Sequence, residues 1–123
     1  MQRLILATVL GLASGSALAF GITCDKPEYL QLKTADKAEL QQEFCSRTRM
    51  YHLNLKLQKT TRQGISNLQS IGADASKQIA QSEEDLDAAL SCSKAAAEYA
   101  GALQRRFKTK PPADKICLSP GGI

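Results

Sequence analysis

Tyr51-His52-Leu53-Asn54-Leu55-Lys56-Leu57 alternates apolar and polar side chains without a break. A half-buried strand would show that alternation, so the reading of these seven positions decides the fold. Three observations favour a helix. The run sits inside a segment with no Gly or Pro from Asp36 to Gln63. It contains no β-branched residue, and no other part of the chain offers a strand to pair with it. The segment also begins with a helix-start signature, Asp36-Lys37-Ala38-Glu39, in which Asp36 caps the first turn and Glu39 reaches back. A first long helix is therefore predicted from about Asp36 to Arg62, extending as far as Ile71, with Gly64 and Gly72 as bends or ends. Upstream, Asp25-Lys26-Pro27-Glu28 could cap a short helical turn.

A second long helix is expected from roughly Asp74 to Lys108. Acidic Glu83, Glu84, Asp85 and Asp87 precede the alanine-rich stretch Ala88 to Ala102. Arg105, Arg106, Lys108 and Lys110 suit the negative end of its dipole, and Pro111-Pro112 forbids continuation. The predicted fold is an all-α antiparallel hairpin of two long helices, with a short third or fourth helix covering excess apolar surface. If the turn lies between Gly64 and Gly72, residues equidistant from it should face one another. Cys45 with Cys92, and Cys24 with Cys117, are both symmetric about points between Leu68 and Ile71, so two nested disulfides, Cys45–Cys92 and Cys24–Cys117, are expected.

The cysteines suit an oxidising compartment, and the N-terminus supplies the route there. Met1-Gln2-Arg3 is a short basic start, Leu4 to Leu12 is apolar, and Ala13 to Ala19 is rich in small residues, ending Ala17-Leu18-Ala19. This order is that of a cleavable signal peptide over residues 1–19, with cleavage between Ala19 and Phe20. Gly11, Ser14, Gly15 and Ser16 dilute the run below the length of a membrane anchor, so no integral membrane segment is expected after cleavage. Residues 20–118 then form one disulfide-bonded helical domain and residues 119–123 a flexible tail. The short basic start and A-L-A ending suit a periplasmic protein of a Gram-negative bacterium, with a eukaryotic secretory route as the alternative.

Export narrows the function classes. Cleavage removes one cation, Arg3, and no acid, so the net charge falls from +4 to +3. So small a charge, together with export, argues against nucleic acid as a partner. The four cysteines include no C-x-x-C pair, and the single histidine, His52, is seven residues from Cys45, so neither a metal nor a cofactor is expected. In the nested register His52 should meet Asp85 across the hairpin. No motif surrounds the neighbouring hydroxyls of Ser46, Thr48 and Ser82, so this pair reads as a cross-helix ion pair rather than part of a catalytic site.

The first helix carries two separated apolar stripes. Leu40, Phe44, Thr48, Tyr51 and Leu55 form one, and Met50, Leu53, Leu57, Gly64, Leu68 and Ile71 the other. The second helix has a broad apolar face that combines Ile79, Leu86 and Leu90 with Ala89, Cys92, Ala96, Tyr99, Ala100, Leu103 and Phe107. A single neighbour cannot bury both stripes of the first helix, which leaves Met50, Leu53, Leu57, Leu68 and Ile71 as the candidate partner-binding stripe. The sequence therefore suggests a non-enzymatic exported interaction protein, such as an adaptor, inhibitor or accessory subunit of an envelope assembly, whose partner is a second copy or an envelope protein. The alternative is a carrier of small apolar ligands or lipids, with Ala88, Ala96 and Ala100 either closing the helix spacing or leaving room between the helices.

Overall fold

A computed structural model describes residues 21–120; the signal peptide expected over residues 1–19 and the last three residues of the expected tail lie outside them. Four helices follow in order: α1 (Tyr29–Thr34), α2 (Lys37–Ser70), α3 (Ser76–Phe107) and α4 (Asp114–Leu118). The described residues include no strand. The alternating run Tyr51 to Leu57 lies in the middle of α2. A helical step of about 100° spreads its side chains over several faces. Asn54 is buried, Leu53 is exposed, and Leu55 and Leu57 are half-buried.

Asp36 caps α2 as expected, its carboxylate accepting from the Glu39 amide at 2.8 Å. The helix continues through Gly64. It ends at Gly72, whose left-handed φ of 75° is the conformation that favours glycine. There Gly72 N–H donates to Gln69 C=O at 3.1 Å and Ala73 N–H to Leu68 C=O at 2.9 Å, a Schellman closure. Across the turn, Asp74 Oδ1 accepts from both the amide and the hydroxyl of Ser76, and these two bonds hold its carboxyl below the usual carboxylate value. At its other end α3 stops with Lys108 in the left-handed conformation, φ 53°, shortly before Pro111-Pro112.

α2 and α3 pack as the expected antiparallel hairpin, but in a different register. Asn54 lies against Cys92, and Thr61 Oγ1 lies 3.2 Å from Asp85 Oδ2. Both pairs are equidistant from Ala73 rather than from a point between Leu68 and Ile71. The difference follows from Gly64, which does not end α2: the helix continues to Ser70 and the reversal falls at residues 71–75. The seam is lined from α3 by buried Ala88, Ala89, Cys92, Ala95 and Ala96. At the open end Leu32, Ala35, Leu40, Tyr99, Ala102 and Leu103 form the main core, with Phe44 and Phe107 packed against it. The buried Tyr99 hydroxyl donates to Gln31 Oε1 at 2.7 Å, while Gln31 Nε2 donates to Glu39 and Glu43. Burial, and then the Glu43 carboxylate beside it, push the Tyr99 phenol above its ordinary value.

The two ends of the chain fold back along the hairpin instead of extending it. Gly21 sits against Asp85 and Ala88, Ile22 bonds to Asn54, and the Cys24 amide donates to Ser91 Oγ at 3.0 Å. Leu32 C=O then accepts from Arg106 Nη1. The N-terminal segment is thus a strap that climbs α3 from its middle toward the open end before α2 begins. After α3 the chain reverses and lays α4 on α2, where Arg49 Nη1 donates to Cys117 C=O at 3.0 Å.

This path overturns the nested disulfides. The bonds are Cys24–Cys92 and Cys45–Cys117, not Cys45–Cys92 and Cys24–Cys117. Nesting assumed that both tails continue the ladder past the open end, whereas each tail returns over one helix and is stapled to it. No disulfide crosses the α2–α3 seam. The short helical turn placed after Asp25 is also displaced: residues 21–28 carry no helix, and α1 starts at Tyr29 with Glu28 as its cap.

Non-reducing peptide mapping should recover Cys24 linked to Cys92 and Cys45 linked to Cys117. Replacing both members of either bond by serine should lower stability by about 2–5 kcal/mol in denaturant titrations. Gly64, inside α2, and Gly72, in the turn that follows it, should respond in opposite directions. No atom lies within 4 Å of a Cβ added at Gly64, so Gly64→Ala should stabilise by about 0.5–1 kcal/mol. Gly72→Ala should destabilise by about 1–2 kcal/mol, because its φ strains any L side chain.

Candidate interaction surface

His52 does not meet Asp85. Its Nε2 lies 3.3 Å from Asp114 Oδ2 on α4, while its ring stands edge-on to Tyr51, with centroids 5.2 Å apart. The register shift carries Asp85 down the hairpin to Thr61, and the fold-back of the C-terminus brings Asp114 in its place. Asp85 is instead buried between Thr61 and Gln81. The His52 and Asp114 side chains are 38% and 66% exposed, so solvent screens their attraction. A depression of about 260 Å³ beside them includes Thr48 and Ser93, but among the described residues neither hydroxyl hydrogen-bonds to His52.

The candidate stripe on α2 is broken. Met50, Leu57 and Leu68 are half-buried, while Leu53 and Ile71 are exposed and far apart, Ile71 lying in the turn. Three exposed apolar side chains share one face of α3. Ile79, Leu86 and Leu90 are 43%, 40% and 48% exposed, and their intervals of seven and four residues place them on one face. The sequence pattern assigned these three residues to the packed side of the second helix. They lie off it because Leu86 and Leu90 each follow a buried residue, Asp85 and Ala89, and one helical step of about 100° carries them out of the seam. Small alanines fill the seam well enough that these larger side chains are not needed there.

A second exposed region lies at the open end. Tyr29 and Leu30 of α1 are exposed beside a depression of about 350 Å³ lined by Tyr29, Leu32, Lys33, Arg105 and Arg106. Lys33 Nζ sits 4.8 Å above the Tyr29 ring, and Arg106 is held by its bond to Leu32 C=O. Arg106, expected only to complement the α3 dipole, thus also anchors α1. Ala88 and Ala96 are buried in the seam and Ala100 is half-buried, so these alanines bring the helices together. Depressions that reach Ala88 and Ala96 lie on the flanks of the hairpin.

Among the described residues no group of three His, Cys, Asp or Glu side chains is placed to hold a metal ion, and no helix is long and apolar enough to cross a membrane. The two disulfides suggest an oxidising, exported environment. The chain matches no protein-family model, no curated protein and no solved structure.

In a double-mutant cycle of His52→Ala with Asp114→Asn, the coupling read from chemical denaturation should be at most about 1 kcal/mol, as expected of an exposed pair.

Proposed function

We propose that this protein is a non-enzymatic, exported interaction protein that holds the apolar face of a partner helix against α3. The observation that carries this reading is the exposed set Ile79, Leu86 and Leu90 on one face of a helix that buries Asp85, Ala88, Ala89, Cys92, Ala95 and Ala96 elsewhere on its surface. Anchors at such intervals match the recognition of one amphipathic helix by another. Rigidity supports the same reading. α3 is tied to the strap by Cys24–Cys92, and α2 to α4 by Cys45–Cys117, so the face would be presented with little ordering cost on binding. The compartment in this proposal is the periplasm or the secreted space, and the partner is a second copy or an envelope protein.

A photo-activated cross-linker placed at Glu83, between Ile79 and Leu86, should capture that partner in the native compartment. The double substitution Leu86→Glu with Leu90→Glu should cut capture at least tenfold while changing stability by less than about 1 kcal/mol, since both side chains are exposed. Sedimentation equilibrium separates a second copy from a different chain. Capture that is unchanged in the double variant refutes the proposal.

A further inference from the structure

The open end of the hairpin carries cations without counter-ions. Lys33, Arg105 and Arg106 line the depression beside α1, and among the described residues no carboxylate pairs with any of them. Lys33 sits over the Tyr29 ring instead, and Arg106 lies 4.8 Å over the Phe107 ring, using one of its five donors on Leu32 C=O. Arg105 folds back over Gly101, where an added Cβ would stand 2.9 Å from its Nη1, so the missing side chain lets the guanidinium lie close to the helix. The acids of this end lie outside the depression. Glu39 and Glu43 accept from Gln31, which is about 160° around α1 from Lys33, while Asp36 caps α2 and Glu28 precedes α1.

Beside these cations stand the two outermost apolar side chains of the open end. Tyr29 is 72% exposed and Leu30 69%. Leu32 turns inward to the core, and Leu30, about 160° around α1 from it, turns outward. A projecting pair is far smaller than the surface of about 800 Å² that a stable protein partner covers on each side. It suits a bilayer, which yields around apolar tips while basic neighbours keep their charged heads at the level of the lipid phosphates. The charge of the molecule is arranged accordingly. Toward the turn, Glu83, Glu84 and Asp87 of α3 lie level with Lys59 and Arg62 of α2 and offset them, in the register set by Thr61 and Asp85. Lys37 at the start of α2 and Lys108 at the end of α3 instead add to the cations of the open end.

We propose that the open end is a docking surface for an anionic lipid bilayer, with Tyr29 and Leu30 entering the headgroup layer while Lys33 and Arg105 contact lipid phosphates. Each basic side chain at such a surface strengthens partition by about fivefold. Arg106 adds its charge while holding α1 in place through Leu32. The inference goes beyond the α3 face, because Ile79, Leu86 and Leu90 lie nearer the turn and take no part in it.

Flotation of the oxidised chain, residues 20–123, with lipid vesicles reads the contact directly. Vesicles of phosphatidylcholine mixed with phosphatidylglycerol should carry the protein, and vesicles of phosphatidylcholine alone should not. Lys33→Glu with Arg105→Glu should lower the partition coefficient at least about tenfold, and so should Tyr29→Ser with Leu30→Ser. Reversing two charges toward the turn, Lys59→Glu with Arg62→Glu, should change it less than about twofold, since salt screens charges that far from the surface. All these positions are exposed, and thermal melting checks that each variant keeps the fold. The chain has no Trp, so Leu30→Trp adds a single reporter whose emission should shift to the blue as it enters lipid. No flotation, an equal loss in the two charge-reversed variants, or an unshifted emission overturns the proposal. Binding of inorganic phosphate or polyglutamate without binding of vesicles also overturns it, making the patch a small-anion site or a surface for an acidic protein. None of these outcomes bears on the α3 face.

Discussion

The fold depends on one buried amide. Asn54, wholly buried in the middle of α2, accepts from Ile22 N–H through Oδ1 at 2.7 Å and donates from Nδ2 to Ile22 C=O at 2.8 Å. A single side chain thus satisfies both polar groups of a strap residue, as a neighbouring strand would. An apolar side chain at this position would leave two backbone groups unpaired, each costing about 1–3 kcal/mol. The pairing fixes the strap's register on the hairpin. Two residues later Cys24 lies over Cys92, and farther along Leu32 and Ala35 reach the core around Tyr99 and Leu103.

With the strap in place, the labour of holding the molecule together is divided. The α2–α3 seam is closed by packing, largely of α3 alanines against the larger side chains of α2. The tails carry too few apolar residues to stay docked by burial alone, and these are the parts that covalent bonds secure. Short helices such as α4, five residues long, are unstable in isolation, so attachment to Cys45 is what gives α4 a fixed position. The outcome is a hairpin in which three of the larger apolar side chains of α3, Ile79, Leu86 and Leu90, point away from its own seam.

Local signals in the sequence were sufficient for the helices. The Asp36 cap, the absence of breakers before Gly64, the alanine-rich second segment and Pro111-Pro112 all act within a few residues, and each has its counterpart in the structure. The signals that misled were those needing knowledge of distant parts of the chain. Gly64 looks like a bend until its surroundings are seen to be open and its backbone helical, while Gly72 holds the conformation that ends the helix. That shift in the turn separated His52 from Asp85. The disulfide pairing was hidden for a related reason: Gly21 to Glu28 has no periodicity to show that it runs alongside α3. Asn54 was visible as the polar centre of an alternating run, and a buried amide flanked by leucines is a signal for a backbone partner that periodicity alone does not read. The exposed α3 face is hidden in the sequence because the pattern groups Ile79, Leu86 and Leu90 with the seam alanines on one broad apolar face.

The two disulfides also interleave: each closed loop contains one cysteine of the other, with sequence separations of 68 and 72. Both native bonds join a cysteine of the first half of the chain to one of the last third. A chain delivered N-terminus first into an oxidising space therefore offers only Cys24 and Cys45 to each other until Cys92 arrives, and that pair is not native. Correct oxidation then requires either that these thiols stay reduced until nearly the whole chain has emerged, or that an early Cys24–Cys45 bond is exchanged through a mixed disulfide. By the second route, the interleaved connectivity would make thiol exchange a step of folding.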